Sequence, residues 1–252
     1  MNLEGKHVIV TGAGAGIGLG IAKACRNAGA DVTGFDWKTE GRERLEATGA
    51  RFEQVDVTDL DGFEAAIAGA HDRAGRLDGM VNNAGVTIKV PFLEMTREQM
   101  ETLWTVNQRS VLVGCQAAGR IMAKAGQGSI VNLSSVHARS TNPGHEGYAG
   151  TKAAIAAMTR AMAWSLGPEG VRVNSICPAL TRTEIVDKAM EDPDNTARFQ
   201  SWTADGEVTT VDEIGALAVF LLSDAASALN GSEVTADRGM SALLDVFDLR
   251  RN

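Results

Sequence analysis

From His7 to Ala236, short apolar runs alternate with amphipathic stretches of helical period, and no other feature limits the fold as strongly. The apolar runs are His7–Val10, Val32–Phe35, Arg51–Val55, Leu77–Val81, the stretch through Ile130, Val131 and Leu133, Val171–Ile176 and Gly231–Ala236. A helix between two strands returns the chain to the same end of the sheet, so consecutive strands run parallel. Right-handed crossovers then put helices on both faces, which predicts an α/β fold with a doubly wound parallel sheet. Such sheets bind ligands beyond the C-terminal ends of their strands. Gly12, Asp36, Asp56, Asn82, Ser135 and the Cys177-Pro178 step all fall at those ends.

The first strand runs into Thr11-Gly12-Ala13-Gly14-Ala15-Gly16-Ile17-Gly18 and then an amphipathic helix. Glycine lets backbone approach a pyrophosphate, and the free N–H groups and dipole of the helix start favour an anion. Gly12, Gly16, Ile17 and Gly18 are therefore candidate cofactor contacts, although the spacing is TGxxxGxG rather than GxGxxG. Asp36 closes the second strand, 24 residues after Gly12. A carboxylate there can chelate both ribose hydroxyls and repel a 2′-phosphate, so NAD is expected over NADP, with Lys38 the nearby cation that opposes this. Asp56 and Val57, after the third strand, are candidates for the adenine end; a bare turn acid would look the same. Asn82-Asn83-Ala84-Gly85 closes the fourth strand, its amides able to tie loops together, with Asn83, Ala84 and Gly85 beside the dinucleotide.

At 252 residues, with 44% apolar residues and no linker or repeat, one domain spanning 1–252 is expected. A net charge of −8 without a basic block argues against nucleic-acid or anionic-membrane partners. No run has the length of a membrane span, and Met1-Asn2-Leu3-Glu4 lacks signal-peptide character. Cys25, Cys115 and Cys177 sit in apolar patterns, as reduced thiols of a cytoplasmic protein do. The 4 histidines show no ligand spacing, and no metal is expected.

The chemistry concentrates between Gly128 and Lys152, where a strand, a polar loop and a small-residue helix follow one another. Tyr148 and Lys152 stand at i and i+4, on one helix face. A phenol of pKa about 10 is a poor base at neutral pH. A fixed ammonium nearby favours the phenolate and brings it toward the working range. Ser135 can hold the oxygen that Tyr148 protonates or deprotonates. Asn107 interrupts an apolar helix face carrying Trp104, Val106, Val111, Leu112 and Ile121, a face read as core or subunit interface. It is either a satisfied structural amide or the anchor of a proton-relaying water. Thr181 and Thr183 follow Pro178 as further cofactor candidates, Thr183 toward a nicotinamide carboxamide. Residues 181–210 have too few apolar positions for core and read as a mobile cover over the site.

Thr11 to Gly18, Asp56, Asn82 to Gly85, Asn107, Ser135, Tyr148-Ala149-Gly150-Thr151-Lys152 and Pro178 together resemble the short-chain dehydrogenase/reductase family over nearly the whole chain. The resemblance implies a Rossmann-like fold and an enzyme acting on CH–OH groups with a nicotinamide cofactor. It implies Tyr148 as acid/base, Lys152 lowering its pKa and holding the nicotinamide ribose, Ser135 positioning the substrate oxygen, and Asn107 supporting a proton path. Ser135 rather than Ser134 is chosen because it lies 13 residues before Tyr148. A tetramer built on the Asn107 and Tyr148 helices plus the C-terminal strand is also implied. Ala179 stands where the family usually has glycine, and Asp237-Arg238-Gly239 replaces a common Asp-Gly-Gly; Arg238 reads either as an interface ion-pair partner or as reaching a neighbouring site. The Ser135–Gly147 loop, with His137, Arg139, His145 and Glu146, is similar to loops of sugar-oxidising members. His137 and His145 join Ser135 and Tyr148 as substrate contacts. The expected activity is an NAD-dependent sugar or polyol dehydrogenase. The competing readings are a 3-oxoacyl-thioester reductase and a non-catalytic dinucleotide sensor.

Overall fold

The structure is a computed structural model describing residues 1–242. In chain order the elements are β1 (His7–Thr11), α1 (Gly16–Asn27), β2 (Asp31–Asp36), α2 (Arg42–Glu46), β3 (Arg51–Gln54), α3 (Leu60–Ala74), β4 (Gly79–Asn82), α4 (Arg97–Leu103), α5 (Ser110–Ala125) and β5 (Gly128–Leu133). They continue through α6 (Glu146–Leu166), β6 (Val171–Pro178), β7 (Thr181–Arg182), α7 (Glu184–Ala189), α8 (Pro193–Gln200), β8 (Thr209–Thr210), α9 (Val211–Leu222) and β9 (Glu233–Ala236). A parallel sheet of order β3-β2-β1-β4-β5-β6-β9 forms the centre, and the order reverses between β1 and β4. This is the Rossmann-like doubly wound architecture.

Every residue of β1 and β4 is buried, as befits strands covered on both faces. One apolar cluster joins Val8, Val10, Ile21, Val32 and Val131 to α9 through Ile214, Ala218 and Leu221. The other joins Ile9, Phe35, Met80 and Ile130 to α3, α5 and α6 through Phe63, Ile67, Cys115 and Ile155. Alternate residues of each strand thus feed opposite layers.

Three details depart from the sequence-based expectation. The helical stretch containing Asn107 is not continuous: Trp104–Arg109 forms a π turn between α4 and α5. The 181–210 segment holds two short helices and the two-stranded β7–β8 sheet. Within it Phe199 is buried and stacks on Trp202 at 5.2 Å, whereas Ile185 is exposed at the mouth of the cleft. No helix among the described residues is long and apolar enough to cross a membrane.

Candidate active site

The strand ends converge on a cleft of about 780 Å³. Gly12, Gly16, Ile17, Asp36, Asn83, Ala84, Gly85, Ser135, Tyr148, Lys152, Pro178 and Thr183 line it. Gly12 and Gly16 have φ of +64° and +53°, a region open to glycine at little cost. A β-carbon at Gly12 would lie 2.9 Å from Asn83 Nδ2, and one at Gly18 would collide with the Gly12 carbonyl. Gly18 is therefore the packing glycine behind the turn rather than part of the lining.

Thr11 fixes the turn against the β4 loop. Its hydroxyl accepts from the Asn83 and Ala84 backbone N–H groups at 3.0 Å, and Asn83 Nδ2 donates back to the Thr11 carbonyl at 2.9 Å. Asn82 faces inward instead, donating to Asn132 Oδ1 at 2.8 Å across the β4–β5 pair. α1 starts without a side-chain cap and without an acid in its first turn, so its N–H groups are open to an anion in the cleft. Asp36 accepts from Gly14 N at 2.9 Å and Lys38 N at 3.0 Å, one bond to each oxygen. Each oxygen keeps a lone pair for a hydroxyl. A glycine-rich cradle, an uncapped helix start and a carboxylate beyond them fit a dinucleotide.

At the other end, Ser134 and Ser135 separate cleanly. Ser134 Oγ is committed to the Lys152 carbonyl, to which it donates at 2.9 Å. Ser135 Oγ accepts from His137 N at 3.2 Å, donates to the Pro178 carbonyl at 3.4 Å and lines the cleft with Tyr148. Burial pushes that phenol above its ordinary 10, and hydrogen bonding with Ser135 and Thr87 opposes the rise. The Lys152 amine lies 5.6 Å from the Tyr148 ring centroid and donates to the Leu133 carbonyl at 2.8 Å. The expected lowering of the phenol is thus absent from the protein alone: desolvation is the largest influence and raises it. Desolvation also lowers Lys152 itself to about 8.

Asn107 lies fully buried under the cleft. It accepts from Val86 N at 2.8 Å and donates to Val86 O at 2.9 Å and Thr151 Oγ1 at 3.2 Å. Both ends of its amide are engaged by protein, which makes it a clamp between the Gly85 loop and α6. π turns recur at functional sites, and this one carries the clamp.

Asp56, Val57, Thr181, His137 and His145 are not among the residues that line the cleft. Asp56 is exposed, outside the cleft lining, and accepts from Thr58 N and Oγ1 at 2.9 and 2.7 Å. Val57 is buried in the core with Phe35 and Phe63. Thr181 is buried and donates to the Ala179 carbonyl at 3.1 Å. His137 and His145 flank Tyr148, with centroids 5.5 and 6.4 Å from its ring and 4.8 Å from each other. His145 Nδ1 is buried without a partner among the described residues. Arg139 is drawn to Glu233 at 3.0 Å, and Glu146 accepts from Gly144 N. Val106, read as core or interface, lines the cleft, as do Thr87, Arg44 and Glu184. Nothing in the local sequence marks Arg44 or Glu184.

A family model described as enoyl-(acyl carrier protein) reductase matches residues 12–241. D-threitol dehydrogenase of Mycolicibacterium smegmatis is 36% identical over 94% of this chain and 93% of that protein. The chain belongs to the short-chain dehydrogenase/reductase family. As a family member it is an oxidoreductase acting on CH–OH groups with a nicotinamide cofactor. L-xylulose reductase of Bos taurus is 35% identical over 96% of this chain and 99% of that one. The structure also superposes on a gluconate 5-dehydrogenase from Burkholderia cenocepacia, solved with NADP and tartrate (TM-score 0.89, 30% identity, 96% and 98% coverage).

Both departures from the family pattern have local explanations. Among the described residues Arg238 alone is a non-glycine with positive φ, at +51°, so Ala179 occupies its position without that strain. Ala179 N continues the β6–β9 pairing by donating to Ala236 O at 3.3 Å. Arg238 pairs with Asp205 at 2.6 Å and with Glu213, while its carbonyl accepts from Ala204 N at 2.9 Å. It therefore ties the end of the cover to α9 within one chain.

Proposed function

We propose that this protein is an NAD-preferring dehydrogenase of a sugar or polyol, with Tyr148 as the group that exchanges a proton with the substrate oxygen. The carrying observation is that one cleft presents Ser135, Tyr148 and Lys152 at one end and Asp36 at the other. In the oxidising direction the substrate hydroxyl hydrogen-bonds to Ser135 Oγ and Tyr148 Oη, and the phenolate takes its proton. Bound nicotinamide supplies the hydride acceptor for the same carbon. The Lys152 ammonium, 5.6 Å from the Tyr148 ring centroid, favours the phenolate and so works against the burial that raises it. Asn107 holds the floor of the site, and Gly12, Gly16, Ile17, Asn83, Ala84, Gly85, Pro178 and Thr183 hold the dinucleotide. Asp36 chelates the adenosine ribose and disfavours a 2′-phosphate.

His137 and His145 supply polar edges beside Tyr148, which suits a substrate with several hydroxyls. Leaving one such hydroxyl unpaired costs about 1–3 kcal/mol. The chain acts as a single catalytic domain whose cover is residues 181–210. Exposed Trp104, Leu112 and Trp164 support a homotetramer built on α5 and α6. Its three buried free thiols, with Cys25 and Cys115 pushed up to about 12, suit a reducing cytoplasm.

The test is reduced-dinucleotide formation from NAD and NADP with a panel of aldoses, polyols and simple secondary alcohols. Turnover of a polyhydroxylated substrate with NAD is expected, and Tyr148→Phe should lose it while still binding NAD. Tight NAD binding with no turnover across the panel would instead make the protein a dinucleotide sensor.

A further inference from the structure

The adenosine end of the cleft carries two cations among the described residues, Lys38 and Arg44, beside Asp36. Both are engaged. Lys38 Nζ lies 4.9 Å over the Trp37 ring, and Arg44 Nη1 donates to Glu184 Oε1 at 2.5 Å. Glu184 opens α7 in the cover, 140 residues beyond Arg44, and lines the same cleft. The placement of Arg44 follows from the packing of the segment before it. Gly41 lies so close to Gly14 that a β-carbon on it would overlap the Gly14 backbone, and Gly14 N in turn donates to Asp36 Oδ2. Arg44 lies three residues after Gly41, about one helical turn along the chain, and lines the same cleft as Asp36.

We propose that Glu184 is a cofactor-specificity residue, neutralising in Arg44 the guanidinium that would otherwise receive a 2′-phosphate beside Asp36. This deepens the reading of the cleft as an NAD site and rests on it. A guanidinium matches a phosphate bidentately and is the usual partner where a 2′-phosphate is accepted. Asp36 opposes that phosphate by direct repulsion, and Glu184 opposes it by occupying its counter-ion. The Arg44 and Glu184 side chains are 43% and 64% exposed, so their pairing is weak and the guanidinium remains exchangeable. Preference for NAD is therefore divided between the end of β2 and a residue of the cover.

The experiment measures the Kd of NADH and NADPH from nicotinamide fluorescence for wild type, Glu184→Gln, Arg44→Gln, the double variant and Asp36→Asn. Glu184→Gln should tighten NADPH by about fivefold, the ceiling for an exposed ion pair, and change NADH by less than about twofold. Adding Arg44→Gln should return NADPH to its wild-type affinity. Unchanged NADPH affinity in Glu184→Gln overturns the proposal, as does a gain that survives in the double variant. A shift of the NADH/NADPH ratio in Asp36→Asn with none in Glu184→Gln rejects the role of Glu184 alone. Failure of every variant and of wild type to bind either dinucleotide rejects the cleft assignment beneath it.

Discussion

The Lys152 amine is buried, and its hydrogen-bond acceptor is the Leu133 carbonyl rather than the phenol four residues earlier. Its pKa falls to about 8 against 10.5 in the unfolded chain, so folding is penalised wherever the unfolded chain keeps that proton and the fold resists it. The penalty is complete below about pH 8 and disappears as pH rises toward 10.5. Cys25 and Cys115 act oppositely at high pH, since burial raises their thiols to about 12. The Lys152 contribution is isolated by comparing wild type with Lys152→Met. That variant should lose turnover by about 100-fold or more yet melt about 3–6 °C higher near pH 7. Its advantage in Tm, measured by circular dichroism, should shrink as pH is raised from 8 toward 10.5. In wild type the alcohol-oxidation rate should climb with pH, because burial holds Tyr148 above 10; a flat profile over about pH 7–10 would place the base elsewhere. The i, i+4 spacing made the pairing of phenol and ammonium on one helix face legible. The turn of the ammonium toward β5 was not, because a backbone carbonyl leaves no mark in a residue pattern.

At the scale of elements, the strands and long helices were legible from their apolar periods. α8 was hidden by composition: Asp192-Pro193 reads as a break, yet Asp192 caps the helix by accepting from Asp194 N and Pro193 starts it. The π turn was hidden because one extra residue in a turn leaves the apolar face of α4 and α5 intact. Helix packing supplies a paired prediction. Gly20 and Gly215 let α1 and α9 approach closely: a β-carbon at Gly20 would lie 2.8 Å from Val211 Cβ and 2.9 Å from the Val211 carbonyl. Gly20→Ala should destabilise by about 1–3 kcal/mol in a denaturant titration, overpacking outweighing the gain in helix propensity. Gly69→Ala in α3 meets only the far end of the Arg73 side chain, 3.2 Å away, and should stabilise by up to about 1 kcal/mol. Equal signs for the two would mean that α1 and α9 are less tightly packed than the structure has them.

For the whole molecule, the alternation of elements implied a parallel sheet, and the residues at its strand ends implied one functional edge. Contacts between distant segments lay beyond that reading. Arg44 and Glu184 meet across 140 residues, and Arg238 ties the cover to α9, through ion pairs between side chains that look solvated in isolation. Large apolar side chains left in water raise the remaining question of assembly. Trp164 on α6 is 86% exposed, Leu112 on α5 is 50% exposed, and Trp104 in the π turn is 42% exposed. Exposed aromatic and aliphatic side chains on the two helices that position Asn107 and Tyr148 are the composition of a protein interface. If the proposed tetramer forms through these faces, Leu112→Asp combined with Trp164→Asp should yield smaller species in light scattering, since a charge desolvated without a partner opposes association. Turnover should fall with it, because α6 carries Tyr148 and Lys152 and would lose its support. An assembly that survives both substitutions would exclude these faces as its interface and leave the exposed edge of β9 as the next surface to test.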